Sequence, residues 1–226
     1  MRDINTFLFD LDGTLVDSAP DLATSLNLTL AELGEAQFSL PEIRGWVGNG
    51  AKMLVHRGLS GSHEVDNSIP ETYLNNALEV FLRHYEKYVC DASTLYPNVS
   101  DTLHTLKQNG FNLALVTNKP KAFVPAILES FSINHLFDLC IGGDSLEEKK
   151  PSPLPLLHVC EVLNVSPSQC VMVGDSKNDI LAAKAANMKS IGLTYGYNYG
   201  QDISIFHPDW VIDDIGKILD ILSLSH

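Results

Sequence analysis

The chain has 226 residues, 45% of them apolar and 19% charged, with a formal net charge of -13. This composition excludes a disordered chain, and the length suits one large domain or a core with a smaller insert. So acidic a chain is a poor partner for nucleic acid or an anionic membrane, so neither is expected, and an anionic substrate must be held by a local positive site.

The first predicted element is the apolar run "TFLF" at 6–9. It ends in Asp10, with Asp12, Gly13 and Thr14 directly behind it. From Asp17 to about Leu95 the pattern is helical and shows no strand. "SAPDLATSLNLTLAELG" opens at Ser18 and Pro20 and stops at Gly34. "LPEIRGWVGNGAKMLVHRGL" reads as two short helices broken at Gly48-Asn49-Gly50. "PETYLNNALEVFLRHYEKY" places Leu74, Leu78, Phe81, Tyr85 and Tyr88 on one stripe. Alternation of strand and helix then takes over. Helix "NVSDTLHTLKQNG" buries Val99, Leu103 and Leu106 and stops at Gly110. Strand-like runs follow at 112–117, 139–143, 170–175, 190–195 and 210–212, with the helix "SKNDILAAKAANM" opened by Ser176. Runs without polar alternation suit parallel strands covered on both faces. The expectation is an α/β fold: a doubly wound, Rossmann-like parallel sheet formed by residues 1–16 and 95–226, with a helical bundle inserted at 17–94. The 4 cysteines, Cys90, Cys140, Cys160 and Cys170, form no C-x-x-C pair and read as reduced thiols in apolar surroundings. The N-terminus enters a strand at once, without a basic stretch and apolar h-region, and no apolar run reaches about 18 residues, so a soluble cytoplasmic protein is expected.

In an open parallel sheet, ligands bind at the carboxyl ends of the strands. Asp10, Asp12, Asp175 and Asp179 all fall there or one helical turn beyond. Four carboxylates attached to apolar strands cannot spread apart, and a divalent cation relieves their repulsion. All-oxygen ligands select a hard ion such as Mg²⁺, and the absence of histidine argues against zinc. The remaining groups suit a phosphoryl dianion. Lys150 offers a point charge, Thr117 and Asn118 end the strand at 112–117, and the Gly13-Thr14 turn is expected to expose backbone N–H groups. A carboxylate facing the phosphoryl group can attack it, and one two residues away can protonate the leaving oxygen and then activate water.

The segments "DLDGTLVDS", "LVTNK", "KKPSPLPL" and "VGDSKNDI" resemble, in order, the four motifs of the haloacid dehalogenase superfamily, over nearly the whole chain. The insert resembles its C1-type helical cap. "GWVGNGA", "GGDSLEEKKPSPLPLLHVCEVL" and "GLTYGYNYG" narrow the resemblance to the bacterial phosphoglycolate phosphatase branch, with Ser145 standing where a second acidic residue is expected. The resemblance implies that Asp10 is the nucleophile and Asp12 the general acid/base, its main-chain carbonyl on the metal. It implies that Thr117 binds phosphoryl oxygens, that Lys150 neutralises nucleophile and phosphate, and that Asp175 and Asp179 serve the metal. Lys149 does not match the motif lysine.

The expected activity is therefore Mg²⁺-dependent hydrolysis of a small anionic phosphomonoester, 2-phosphoglycolate, by a monomer or weak homodimer. The alternatives are a phosphatase or phosphomutase for another small phosphorylated metabolite, and a non-catalytic metabolite-binding module. Lys52, near the loop in the insert, reads as a surface charge. Gly48, Asn49 and Gly50 are expected to close over the site, their amides meeting the substrate carboxylate.

Overall fold

The computed structural model describes residues 3–223. In chain order the elements are β1 (Thr6–Phe9), β2 (Val16–Asp17), α1 (Ala19–Leu33), α2 (Leu40–Arg44), α3 (Ala51–Ser60), α4 (Glu71–Lys87), β3 (Thr94–Leu95), α5 (Val99–Gln108), β4 (Asn112–Val116), α6 (Val124–Ser130), β5 (Leu139–Ile141), α7 (Leu154–Val162), β6 (Cys170–Gly174), α8 (Lys177–Ala185), β7 (Lys189–Leu193), β8 (Trp210–Ile212) and α9 (Lys217–Ser223). Six strands form one sheet in the order β5-β4-β1-β6-β7-β8, and every pair in it is parallel.

The apolar runs are continuous because both faces of the sheet are covered. Phe7 and Phe9 of β1 join Leu113, Leu115, Val171 and Val173 in the cluster on one face, which also takes Val99, Leu103 and Leu106 of α5. Leu8, between them, points the other way and joins Ala114, Val116 and Met172 under Leu156 of α7 and Ala182 of α8. This is the period-2 alternation of strands with two apolar faces. The chain moves from β1 out to β4 and β5, then crosses to β6 on the other side of β1. The crevice at the carboxyl ends of β4, β1 and β6 is thus the topological switch point, where such sheets bind ligands.

Helices α1 to α4 have an apolar cluster of their own, built on Leu22, Leu26, Leu30, Ile43, Trp46, Leu54, Leu74 and Phe81. The chain leaves the sheet through β2 and returns through β3, and these two pair antiparallel with Val16 opposite Leu95 and Asp17 opposite Thr94. Strands of two residues carry no readable periodicity, which is why the sequence pattern ran straight from loop to helix there. The helix boundaries follow the signals read from sequence: Gly34 ends α1 at φ 77, and Gly48-Asn49-Gly50 separates α2 from α3.

One tyrosine from the far end of the chain fastens this exit. The Tyr197 hydroxyl accepts the backbone N–H of Ser18 (2.9 Å) and Ala19 (3.0 Å) at the start of α1 and donates to Asp17 Oδ1 (2.8 Å). Arg44 of α2 grips the same carboxylate with two bonds of 3.0 and 2.9 Å. Tyr197→Phe strands two buried amides, which costs about 2–3 kcal/mol. The expected result is a melting temperature lower by roughly 5–10 °C in calorimetry, since about 1 kcal/mol shifts a chain of this size by 2–4 °C.

Candidate active site

Asp10 directly follows β1 and Asp175 directly follows β6, and the Asp10 amide donates to Val173 O at 3.0 Å. Neighbouring parallel strands of matched register therefore place the two carboxylates side by side. Asp179 rises from the first turn of α8. Oxygens of Asp10, Asp175 and Asp179 lie within 4.8 Å of one another, and all three residues are buried. Each is held by donors. Thr14 Oγ1 (2.7 Å) and the Tyr197 amide (2.7 Å) fix Asp175. Ser176 gives its amide (3.0 Å) and hydroxyl (2.8 Å) to Asp179 Oδ2, a capping arrangement that orients the carboxylate as it starts the helix. Lys150, 1% exposed, reaches Asp179 Oδ1 at 2.6 Å and Asp10 Oδ1 at 3.1 Å.

Burial pushes the Asp10 carboxyl well up, against the pull of Lys150, and the neighbouring carboxylates push it further. Burial, then the Asp179 charge, raises Asp175 to about 7. Burial works to lower Lys150, but Asp10 and Asp179 outweigh it and the ammonium is held more firmly charged than usual. Fully ionised, three carboxylates against one ammonium would leave two negative charges in a buried site. A divalent cation with a preference for oxygen fits that remainder, and Asp10, Asp175 and Asp179 would hold it.

Asp12, the fourth expected carboxylate, is outside the group. Its side chain turns to Lys119, at 2.9 and 3.2 Å, and to the Ser18 hydroxyl at 2.5 Å. A buried lysine on the loop after β4 already balances it, and its charge adds least of the three neighbouring carboxylates to the repulsion on Asp10. Its main-chain carbonyl accepts no hydrogen bond among the described residues. The Gly13-Thr14 turn does not expose free amides as expected, because Gly13 donates to Val16 O (2.9 Å) and Thr14 to Leu11 O (3.3 Å). Gly13 is required for a different reason: at φ +84, a Cβ there would stand 2.4 Å from Asp175 Oδ2. Among the described residues, the amides of Asp12 and Asn118 beside this turn have no partner. Thr117 is buried beside them, its hydroxyl accepting only the Lys119 amide at 3.2 Å, which leaves its proton free.

The break between α2 and α3 sits directly on this site. Asn118 and Asn178 both donate to Gly48 O at 3.1 Å, and Lys149 donates to Asn49 O at 2.8 Å. Asn49 Oδ1 accepts from Tyr199 (2.7 Å) and from the buried Arg57 (3.1 Å). A Cβ on Gly48 would meet Tyr199 Oη at 2.6 Å, and one on Gly50 would meet Asn118 O at 2.9 Å. The glycines allow the loop to lie against the sheet end. Asn49 Oδ1 and the Asn118 side-chain nitrogen are occupied as struts, Asn118 also donating to Lys150 O at 3.0 Å, while the buried Asn118 Oδ1 has no partner among the described residues. Between loop and sheet a cleft is lined by Asp10, Asp12, Thr117, Gly50, Lys119 and Tyr85, among others.

The profile of the haloacid dehalogenase-like hydrolases matches residues 7–193. The chain belongs to that family. It is 53% identical over 219 residues to a phosphoglycolate phosphatase of Colwellia psychrerythraea, covering 97% of each chain. It is 47% identical to a phosphoglycolate phosphatase of Vibrio cholerae, covering 100% of both. A crystal structure of a predicted phosphoglycolate phosphatase from Haemophilus somnus superposes with a TM-score of 0.91 at 43% identity, over 98% of this chain and 99% of that one. With relatives of this kind over its whole length, the chain is a phosphoric monoester hydrolase.

Several residues of the site escaped the sequence reading. Lys119 stands inside "LVTNK", but its partner Asp12 lies 107 residues away in sequence. Ser18 read as a helix cap, yet its hydroxyl serves Asp12. Tyr197, Tyr199 and Asn178 lie inside the quoted segments "GLTYGYNYG" and "VGDSKNDI", but they act through contacts more than 20 residues away in sequence that those segments do not reveal. Lys149 ties the loop down through Asn49 O. Lys52 pairs with Glu71 at the surface, away from the site.

The raised carboxyls fix the sign of a pH effect. Without a cation, folded Asp175 keeps its proton up to about pH 7, whereas the unfolded chain has released it above about pH 4. The fold then binds an extra proton and loses stability as pH rises through that window. Mg²⁺ replaces protons as the compensating charge, so its thermal stabilisation should be larger near pH 8 than near pH 5. Equal shifts in a melting assay at both pH values would place the ion elsewhere.

Proposed function

We propose that the chain is a Mg²⁺-dependent phosphatase hydrolysing 2-phosphoglycolate to glycolate and phosphate through an aspartyl-phosphate on Asp10. The observation that carries this is the group Asp10, Asp175 and Asp179, which when ionised exceeds the charge of its partner Lys150 by two, with Asp10 opening on one cleft with Thr117 and Asp12. The substrate follows from the names of the relatives that match the chain end to end. Residues 17–94, carrying helices α1 to α4, act as the cap that roofs the cleft.

In this reading Lys150 and the Thr117 hydroxyl orient the phosphoryl group, together with the amides of Asp12 and Asn118. Bound Mg²⁺ would neutralise charge on nucleophile and phosphoryl oxygens alike. An Asp10 oxygen attacks phosphorus and the bond to the glycolate oxygen breaks. Asp12 gives that oxygen its proton. Asp12 then takes a proton from water, which attacks phosphorus and frees phosphate and Asp10. The apolar cap residues Leu22, Val47, Leu54 and Phe81 line the cleft and keep bulk water from the intermediate.

Asp10→Asn keeps the shape but removes the nucleophile, so kcat on 2-phosphoglycolate should fall by at least about 10⁴-fold with the melting temperature retained. A mutant freshly purified and checked by mass spectrometry that keeps a few per cent of activity contradicts the covalent route. Asp175→Ala should raise the Mg²⁺ concentration for half-maximal rate about tenfold or more. Among small phosphomonoesters ranked by kcat/KM, 2-phosphoglycolate should lead; a sugar phosphate in first place would overturn the substrate.

A further inference from the structure

The phosphoryl end of the cleft is accounted for by Asp10 and Thr117, with Lys150 behind Asp10. The other end lies under α3 and α4, and its lining is mostly apolar: Leu22, Val47, Leu54, Phe81, Pro120 and Phe123. A substrate with a carboxylate at its far end cannot leave that charge uncompensated among such side chains. The Gly48-Asn49-Gly50 loop is a poor reader for it. Its Gly48 and Asn49 carbonyl oxygens and its Asn49 Oδ1 all accept hydrogen bonds from protein donors. Those three oxygens would repel a carboxylate.

Three other features converge on the same cleft. Lys119 lines it, and its side chain is only 2% exposed. Its ammonium has three donors and spends two on the oxygens of Asp12, at 2.9 and 3.2 Å. It lies 4.7 Å from the centre of the Tyr85 ring. The Tyr85 hydroxyl, on a residue 1% exposed, borders the cleft beside the Lys119 ammonium and makes no hydrogen bond of full geometry. A buried hydroxyl left unpaired costs stability unless a ligand takes it up. Finally, α3, ten residues long, begins at the cleft with Gly50 and Ala51 and has no side chain capping its first amides. An uncapped helix start favours a negative group.

We propose that Lys119, with the Tyr85 hydroxyl and the first turn of α3, forms the subsite that receives the substrate's carboxylate and thereby selects a short phosphorylated acid over neutral phosphoesters. The inference rests on the phosphatase reading above and names the residues that choose its substrate. Lys119 then has two partners at once, the substrate carboxylate and Asp12. That places the acid/base carboxylate on the same cation that recognises the tail, so a tail without charge leaves Asp12 fully bound to Lys119.

The test compares 2-phosphoglycolate with 2-hydroxyethyl phosphate, the same chain length without the carboxylate. In the wild type the acid should be preferred in kcat/KM by at least about 100-fold, as expected for one buried charge pair. Lys119→Met should cut kcat/KM on 2-phosphoglycolate by about 100-fold or more and on the neutral ester by less than about tenfold, so that the preference collapses. Tyr85→Phe leaves the charge in place and should reduce the preference by about five- to tenfold. It carries the test if Lys119→Met fails to fold. Equal losses on both substrates in Lys119→Met would show that Lys119 serves Asp12 alone and would overturn the proposal. So would an unchanged preference in a folded Lys119→Met, or in Tyr85→Phe where that variant carries the test. A wild type that does not prefer the acid would remove the phosphoglycolate reading itself, and this inference with it.

Discussion

Three carboxylates buried around one lysine are the constraint on which the rest of the structure depends. Asp10, Asp175 and Asp179 are brought together by strand register and a helix start, and Lys150 answers only one of their charges. Such a group is unfavourable in isolation, since burial and mutual repulsion both oppose ionisation. It persists because the surrounding sheet over-determines it. Apolar side chains on both faces of β1, β4 and β6 fix the strand ends, and Thr14, Ser176 and the Tyr197 amide fix the carboxylates on those ends. The fold stores local electrostatic cost at the point where a cation and a phosphoryl group can use it.

The same segment that steadies Asp175 also holds the helical layer. The Tyr197 amide bonds Asp175, its hydroxyl takes the first amides of α1, and two residues on Tyr199 reaches Asn49. Its neighbour Asn178 lies beside Asp179 in sequence and bonds both Gly48 O and Tyr199. Carboxylate cluster, exit ribbon and roofing loop are thus joined by one short stretch, 197–199. A change in the charge at the cluster and a change in the seating of the loop act on common atoms, which is the physical requirement for coupling between them.

Asp12 shows how environment separates the roles of like residues. It stands two positions from Asp10, yet Lys119 and Ser18 draw it off to the other side of the cleft. Asp10 faces the cluster and Lys150. In the proposed mechanism one carboxylate attacks and the other moves protons, from the same D-x-D stretch, and the structure gives the two side chains different neighbours.

By itself the sequence determined the parallel α/β core, the inserted helices, the strand-end positions of Asp10, Thr117 and Asp175, and the place of Lys150 and Asp179 in the segments beyond such ends. Those are consequences of local periodicity and of the rule that binding residues gather at carboxyl ends of parallel strands, both of which are written in short stretches of chain. It did not determine which carboxylates would share a charge, nor that the amides of Gly13 and Thr14 would be consumed in their own turn. It also left the purpose of Gly48 and Gly50 open. The tertiary structure decided these because they depend on pairs far apart in sequence: Asp12 with Lys119, Gly13 with Asp175, Gly48 with Tyr199 and Gly50 with Asn118. A side chain's chemistry can be read from its letter, but its charge partner and the space around it exist only once the chain has closed on itself.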